Sequence, residues 1–436
     1  MIISTGLACA ILVGGFIFLV AMRIPVAFAL AISTVPIVVL ELRLTPFIVL
    51  DRMFQSYNSF ILLAVPFFLL AANLMNSGKV TDKLIDLSRV LTGWMPGGLG
   101  HVNVAVSMLF AGISGSSTAD AAGCGKILIP AMINEGYDRR FAIAITACSS
   151  VMGVIIPPSI LMIVWGGVMQ TSVGALFLAG AIPGIMIGLA LMATVYGYAK
   201  VYNYPIIGKP TLCEIWTAFK GAFLAMLTPI FVIGGIVGGI VTPTESAIIA
   251  AGYSLILGMF VYRTVTIRDL GHIFYDTGRF ASISLFAIGS ASAFGWLLAF
   301  YQVPQLVVDA MTSLEFGTFG TALVIAGLFL FFGLFIDAIP TIIILGTVLL
   351  PVATAAEIHP IVFAIIGIVS LAFGLVTPPY GLCLLISASI GGMNVVQVMR
   401  EVCIILLPML LILLLIIIFP NIALWLPQML MPESFK

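Results

Sequence analysis

Residues 153–160 read GVIIPPSI and residues 374–381 read GLVTPPYG, two Pro-Pro pairs 221 positions apart, each inside a long apolar run. Proline has no backbone donor, and the first of each pair also holds the residue before it away from the α region. The helices must therefore break at their centres, at Pro157-Pro158 and at Pro378-Pro379, leaving free carbonyls on one half-helix and exposed N–H groups on the next. A single mid-span proline reads as a kink. The same pair in equivalent places reads as a feature of the fold. Moving outward, the shift of 221 also carries Gly112 onto Gly333, Gly125 onto Gly346 and Pro130 onto Pro351, without a gap over about 45 positions. Farther upstream, RIPVAFA at 23–29 aligns with VTPTESA at 241–247, Pro25 on Pro243, after a small change of offset.

The repeat lies in a chain built for lipid. Hydrophobic residues make up 62% of the 436, charged residues 8%, and the mean hydropathy is +1.27. These values describe an all-α polytopic membrane protein, since a bilayer core of roughly 30 Å takes about 20 apolar residues per helix. The first apolar stretch, Thr5 to Met22, lacks a basic leader and a convincing cleavage site, and reads as a retained helix. A net charge of zero excludes a nucleic-acid footprint. The six cysteines sit singly in apolar segments and read as packing residues.

Apolar runs place spans near 5–22, 25–40, 58–76, 139–170, 172–200, 218–241, 243–262, 278–301, 360–391 and 395–426, about ten crossings. Two further stretches, 101–133 and 318–352, each hold two helices too short to cross that meet at a polar tip, SGSSTAD in one and FIDAIPT in the other. They are expected to be re-entrant hairpins. An amphipathic arm at 80–92 places Leu84, Leu87 and Leu91 on one face and suits a connector lying in the interface. The chain thus divides into repeats 1–211 and 212–436, each with three spans, a hairpin, a broken helix (139–170 or 360–391) and a last span. Five crossings per repeat would invert the second copy, a topology characteristic of secondary transporters with a midplane site. About twelve basic residues, among them Lys83, Arg89, Lys209 and Arg263, fall on one side, and Arg43, Arg52 and Lys436 on the other. The positive-inside rule then puts both termini outside.

The first tip carries Ser114 in a Gly-x-Ser-Gly setting, followed by Ser116, Ser117, Thr118 and Asp120. Three readings compete for it: a nucleophile, an ion cradle or a polar turn. A nucleophilic serine needs a base within hydrogen-bond reach. His101, His272 and His359, the only histidines, all sit near predicted membrane boundaries, and neither HExxH nor paired GxGD aspartates occur. An intramembrane enzyme is disfavoured, as is a passive channel, because opposed hairpins suit alternating access. A Ser/Thr-rich tip facing an unwound helix can supply the five or six oxygens a Na⁺ ion takes, by analogy with other hard cations. Asp120 and Asp337 are rare intramembrane carboxylates, each either an ion ligand or a helix cap. Glu245 in TPTES reads as a first-turn residue favoured by the helix dipole rather than a substrate contact.

In order along the chain, AVPFFLLAANLMNSG (64–78), GISGSSTADAAG (112–123), IIPPS (155–159), TPTES (242–246) and VTPPYG (376–381) resemble the large membrane subunit of tripartite ATP-independent periplasmic (TRAP) transporters, over nearly the whole length. The resemblance implies a multi-pass protein of a bacterial or archaeal inner membrane, working with a small four-helix membrane subunit and a periplasmic substrate-binding protein. The sequence carries no such four-helix segment at either end, so that subunit is expected as a separate chain. It implies Na⁺-driven uptake of an organic acid, such as a C4-dicarboxylate, a sialic acid or another sugar acid, by an elevator movement of the hairpin-bearing domain. Carried over by position, Ser114, Ser116, Ser117 and Thr118 with Ile155, Ile156 and Ser159 would form one Na⁺ site. Asp337, Ile339 and Thr341 with Val376, Thr377 and Tyr380 would form the second. Ser116, Ser117, Pro158, Pro340 and Pro379 would face the substrate between the tips. The second tip has Phe335 and Pro340 where the first has Ser114 and Ala119, so two equivalent ion shells are not implied. The alternative is a stand-alone sodium–carboxylate symporter of the divalent-anion type.

Overall fold

The computed structural model describes residues 4–435 apart from 42 and 46, and every regular element among them is helical. Lys436, counted above on the outer side, lies outside the described residues. The first half runs through α1 (Thr5–Ala21), α2 (Val26–Leu40), α3 (Ile48–Tyr57), α4 (Ala64–Ser77) and the arm α5 (Val80–Thr92). It continues with a hairpin, α6 (Gly98–Ser114) and α7 (Ser117–Asn134), then α8 (Arg139–Ser150), α9 (Ile160–Met169) and α10 (Val173–Tyr202). The second half has α11 (Leu212–Val237), α12 (Pro243–Ile256), α13 (Ile267–Phe300), α14 (Val303–Ser313) and the hairpin α15 (Gly317–Gly333) and α16 (Ala338–Ala355). After it come α17 (Pro360–Gly374), α18 (Leu382–Ile390), α19 (Val395–Ile418) and the short α20 (Asn421–Leu430).

Paired helices meeting at a turn, and both helix breaks, occur at the stretches the Gly and Pro pattern marked, but α16, at 18 residues, is long enough to cross, contrary to the expectation of two short hairpin helices. Six helices, α10, α11, α13, α16, α19 and α12 with its final π turn, are long and apolar enough to cross a bilayer alone. The other expected crossings are assembled from shorter pieces. The expected span 58–76 is α4, joined at a bend of 69° to α3, a helix the apolar runs did not reveal. Its counterpart α13 is a single helix of 34 residues, which begins eleven residues before the expected 278. The helix continues through the charged stretch 268–279, beyond the apolar run that set the expected start. The expected last span divides at Pro420 into α19 and α20. In the arm, Leu84 and Leu87 are buried but Leu91 is 51% exposed, so the packed face is Val80, Leu84 and Leu87, without Leu91.

Helices in lipid gain little from the hydrophobic effect against one another, so close packing of small residues carries their association. On α10, Gly180, Gly184 and Gly188 lie one turn apart on one face. A Cβ at these positions would meet Met162 and the Ile155 carbonyl, Ile156, and Met108 respectively. This glycine stripe lets α10 press against the first break and the first hairpin. Across the halves, Gly125 of α7 faces Ile390 of α18, and Gly346 of α16 faces Met169 of α9. The two contacts are related by the same shift of 221 at both partners, 125 to 346 and 169 to 390. Each hairpin therefore packs its second helix on the second half of the other copy's broken helix.

Candidate functional site

The first tip is a tight turn. Gly115 takes φ +62° between α6 and α7, and a Cβ there would come within 2.9 Å of the Pro158 carbonyl. The Ile160 N–H donates to the Gly115 carbonyl at 3.2 Å, so the hairpin is tied through its backbone to the break in the neighbouring helix. Ser116 caps α7, weakly accepting the Ala119 N–H at 3.5 Å, and its hydroxyl lies 3.1 Å from that of Thr118. Ser114 and Ser117 are buried.

Asp120 was open between ligand and cap. It does not cap the helix. Its side chain is fully buried, Oδ1 accepts a short hydrogen bond from the Ser114 hydroxyl, and Oδ2 has no partner. The carboxylate fills the place a side chain would take at Gly153, in the one-turn 3-10 segment Val151–Val154 that precedes the break, since a Cβ on Gly153 would collide with Oδ2. A buried carboxylate with a free oxygen is costly unless something cationic, or a proton, meets it.

At the break itself the Pro157-Pro158 peptide bond is cis, as is Pro378-Pro379. The Ser159 hydroxyl donates to the Val154 carbonyl at 2.7 Å and caps α9 through the Met162 N–H at 3.3 Å. The Ile155 carbonyl points at Gly180 of α10, and the carbonyl nearest the Gly115 tip is that of Pro158. At the first tip the Ser116 and Thr118 hydroxyls lie together and the Pro158 carbonyl, expected to face the substrate, stands beside Gly115, while Ile155 turns its oxygen toward α10 and Ser159 spends its hydroxyl on the helix end.

The second tip is built differently. Asp337 caps α16 by accepting the Ala338 N–H at 2.9 Å, and Thr341, buried, donates back to the Asp337 carbonyl at 2.8 Å. Ile339 and Pro340 are buried behind it. Thr377 donates to the Phe373 carbonyl at 2.7 Å, Val376 is buried, and Tyr380 is exposed with its ring 5.6 Å from that of Phe335. Gly333 and Gly374 make the tip-to-break contact here, where a Cβ on Gly374 would sit 2.7 Å from the Gly333 Cα. The cysteine Cys383 of α18 lies beside the Ser117 and Ser150 hydroxyls, within electrostatic reach of both Asp120 and Asp337, so the two tips converge on one region.

The tips differ in access. At the first, Ser114, Ser117 and Asp120 are buried and Ser116 and Thr118 half-buried, whereas Phe335, Asp337 and Tyr380 line a cavity of about 770 Å³ together with the end of α1, including Arg23. Arg23 was counted only as a boundary charge. It occupies the left-handed position ending α1, φ +64°, with Ile24 N–H to Leu19 carbonyl (3.1 Å) and Arg23 N–H to Val20 carbonyl (2.9 Å) closing the turn. The helix α11 ends in the same paired bonds, Ile240 to Gly235 (3.0 Å) and Gly239 to Ile236 (3.1 Å), but its left-handed residue is Gly239. Only a comparison of the two turns in three dimensions exposes the arginine as the exception.

The alternatives raised by the sequence are resolved by placement. His101 lies 13 residues before Ser114 on the same helix, about 20 Å away at 1.5 Å per residue. His272 pairs with Asp276 at 3.0 Å, and His359 accepts the Ile361 N–H at 3.2 Å at the start of α17. Among the described residues no histidine stands beside Ser114, whose hydroxyl donates to Asp120. Glu245 forms a capping box with Thr242, accepting its N–H at 2.7 Å and its hydroxyl at 2.8 Å. Among the described residues no cluster of His, Cys, Asp and Glu could hold a metal, and all six cysteines are free thiols.

Comparison with known proteins gives a consistent picture. The family described as "Tripartite ATP-independent periplasmic transporter, DctM component" matches residues 13–422. The sialic acid TRAP transporter permease protein SiaT of Haemophilus influenzae is 39% identical over 88% of this chain, which spans 62% of that protein's length. The sialic acid TRAP transporter large permease protein SiaM of Vibrio cholerae is 36% identical over 95% of this chain and 97% of its own. The C4-dicarboxylate TRAP transporter large permease protein DctM of Pseudomonas aeruginosa is 34% identical over 86% and 88%. A solved structure of Neisseria gonorrhoeae MtrF, described as illuminating a class of antimetabolite efflux pumps, has a TM-score of 0.53 at 13% identity over 87% of this chain and 84% of that one. At that identity the likeness concerns the fold alone.

Proposed function

This chain belongs to the DctM-component family of tripartite ATP-independent periplasmic transporters, a family of transporter permeases and not of enzymes, and from that membership we propose that it is the large membrane subunit of a sodium-coupled importer of an organic acid. The substrate class follows from the relatives, which are named for sialic acid and C4-dicarboxylates. Its partners are a small membrane subunit and a periplasmic binding protein that delivers the acid, and its place is the bacterial inner membrane with both termini on the periplasmic side.

The observation that carries sodium coupling is the Asp120 carboxylate, buried beneath the first tip with Oδ2 unpartnered. A hard cation takes oxygen ligands. Asp120 Oδ2, the Ser116 and Thr118 hydroxyls and the Pro158 carbonyl would supply such ligands at the first tip. Na⁺ there would neutralise the carboxylate and hold hairpin and broken helix together. The second tip, with Asp337, Thr341 and Thr377 already bonded to their own helices, offers mainly carbonyls and the aromatic wall of Phe335 and Tyr380. Its open cavity suits the organic acid itself, with Arg23 as the cation facing the carboxylate. The hairpins and half-helices, cross-packed through Gly125 and Gly346, form the body that moves as an elevator against the remaining helices.

Reconstitution tests this reading. Proteoliposomes holding this chain, the small subunit and the binding protein should accumulate labelled N-acetylneuraminate or succinate only when an inward Na⁺ gradient is imposed, with a Hill coefficient for Na⁺ above one. Robust uptake by the chain alone would favour a stand-alone symporter. Equal uptake driven by a proton gradient without Na⁺ would overturn the coupling.

A further inference from the structure

Asn103 of α6 is fully buried in a polar network that joins the first hairpin to the first half of the broken helix. Its amide donates to the Thr146 hydroxyl of α8 at 2.6 Å, and its oxygen accepts the Ser149 hydroxyl at 3.2 Å. One turn farther along α6, Ser107 donates to the Ser149 hydroxyl at 2.9 Å. Among the described residues these are the side-chain hydrogen bonds that tie α6 to α8. Thr146 and Ser149 do not depend on them, because each also has an acceptor within α8, the Ala142 carbonyl at 2.7 Å and the Thr146 carbonyl at 3.2 Å. What Asn103 adds is a fixed register between two helices.

That register matters four residues after Ser149. There Gly153 leaves the room that the Asp120 carboxylate fills. Its neighbours Met152 and Val154 carry side chains, so α8 cannot slip by a residue along α6 without setting one of them against the carboxylate. The second copy fixes the same joint in another way. The shift of 221 carries Asn103, Ser107 and Thr146 onto Val324, Leu328 and Gly367, which cannot form the network, and Ser370, the counterpart of Ser149, has no partner for its hydroxyl among the described residues. Gly333 and Gly374 meet there backbone to backbone instead. In the first copy the matching glycines part: Gly112 faces Pro229 of α11, 3.3 Å from an added Cβ, and Gly153 faces Asp120. The hydrogen-bonded network stands where the glycine contact is missing.

We propose that Asn103 is a positioning residue for the sodium site: by setting the register of α8 on α6 it keeps Gly153 opposite the Asp120 carboxylate. The assignment rests on the reading of Asp120 as a Na⁺ ligand. Asn103 itself touches neither ion nor substrate, standing eleven residues, roughly 16 Å, before Ser114 on the same helix.

Uptake by the reconstituted complex tests this with Asn103→Leu, which keeps the bulk and leaves Thr146 and Ser149 their acceptors within α8. Two interhelical bonds are lost, each modest in a membrane, so the Na⁺ concentration for half-maximal uptake should rise about five- to tenfold. The acid concentration for half-maximal uptake at saturating Na⁺ should stay the same. Ser107→Ala, which drops one bond and keeps Asn103, should shift Na⁺ activation in the same direction by less. The control is Asn73→Leu, which breaks the bond of 2.8 Å from Asn73 of α4 to Thr277 of α13 and should change neither concentration. Hydrogen–deuterium exchange in Na⁺-free buffer reads the joint without the ion: the amides of residues 151–156 should exchange faster in Asn103→Leu and not in Asn73→Leu. The proposal is overturned if Asn103→Leu leaves Na⁺ activation unchanged, if Asn73→Leu shifts it as much, if half-saturation by the acid moves with it, or if exchange at 151–156 is unaltered. Wild-type uptake indifferent to Na⁺ would overturn the sodium reading instead, and faster exchange confined to Asn103→Leu would even then support Asn103 as the residue that sets the joint.

Discussion

At Gly153 a carboxylate stands where another residue would keep a methyl group, and the proposed Na⁺ site depends on that space. Gly153→Ala should push the Asp120 carboxylate out of its bed and cost about 1–3 kcal/mol of stability, as overpacking does. The concentration of Na⁺ needed for half-maximal uptake should rise at least tenfold, and Asp120→Asn should raise it as much without the loss of stability. Ser116→Ala should weaken Na⁺ activation more than Thr377→Ala, because the Thr377 hydroxyl is spent on the Phe373 carbonyl. Arg23 gives the opposite combination. Its left-handed backbone costs a side-chain-bearing residue roughly 1–2 kcal/mol, and the twin turn uses glycine. Arg23→Gly should therefore leave the thermal unfolding midpoint unchanged or raised while uptake of the acid falls. A midpoint that drops with uptake intact would show that the arginine serves packing alone.

The cross-packed pairs are the joints between elements. The Met169 methyl fills the space beside Gly346, so a branched side chain there must displace the Met169 tip or part α16 from α9, while Gly125 has 3.3 Å to Ile390 for an added Cβ. Gly346→Ile should lower the unfolding midpoint and slow transport, whereas Gly125→Ala should do little to either. These elements were legible in the sequence because their signals are local: a Pro-Pro pair breaks a helix and a glycine-rich polar tip turns a hairpin whatever surrounds them. What stayed hidden depends on distance in space. The short helices α3 and α14 carry too few apolar residues to stand out from connections. No spacing announces that Asp120 reaches back to Ser114, that the Ile155 carbonyl faces α10, or that Arg23 stands across a cavity from residue 337.

For the whole molecule under the proposed alternating access, a largely buried first tip and a second tip on an open cavity describe one state. With the six native cysteines replaced, Tyr380→Cys should react quickly with a membrane-impermeant thiol reagent from the side on which the 770 Å³ cavity opens, and Ser117→Cys, 2% exposed in wild type, slowly. Conditions that drive the hairpin body across should slow the first and speed the second. Parallel changes at both positions under every condition would contradict a body that moves as one piece.

The unequal third spans carry a mechanical consequence. At 34 residues α13 is about 51 Å long, well beyond a hydrocarbon layer of roughly 30 Å, while α3 and α4 are folded at 69°. A rod whose charged end runs on past the layer crosses it as one stiff piece, whereas a hinged pair can adjust its height by flexing. Stretching or thinning the surrounding membrane thus loads one half of the protein more than the other. Under the proposed elevator movement, the two end positions of the body would differ in how much deformation they impose, and acyl-chain length would then act as a dial on which position the transporter rests in.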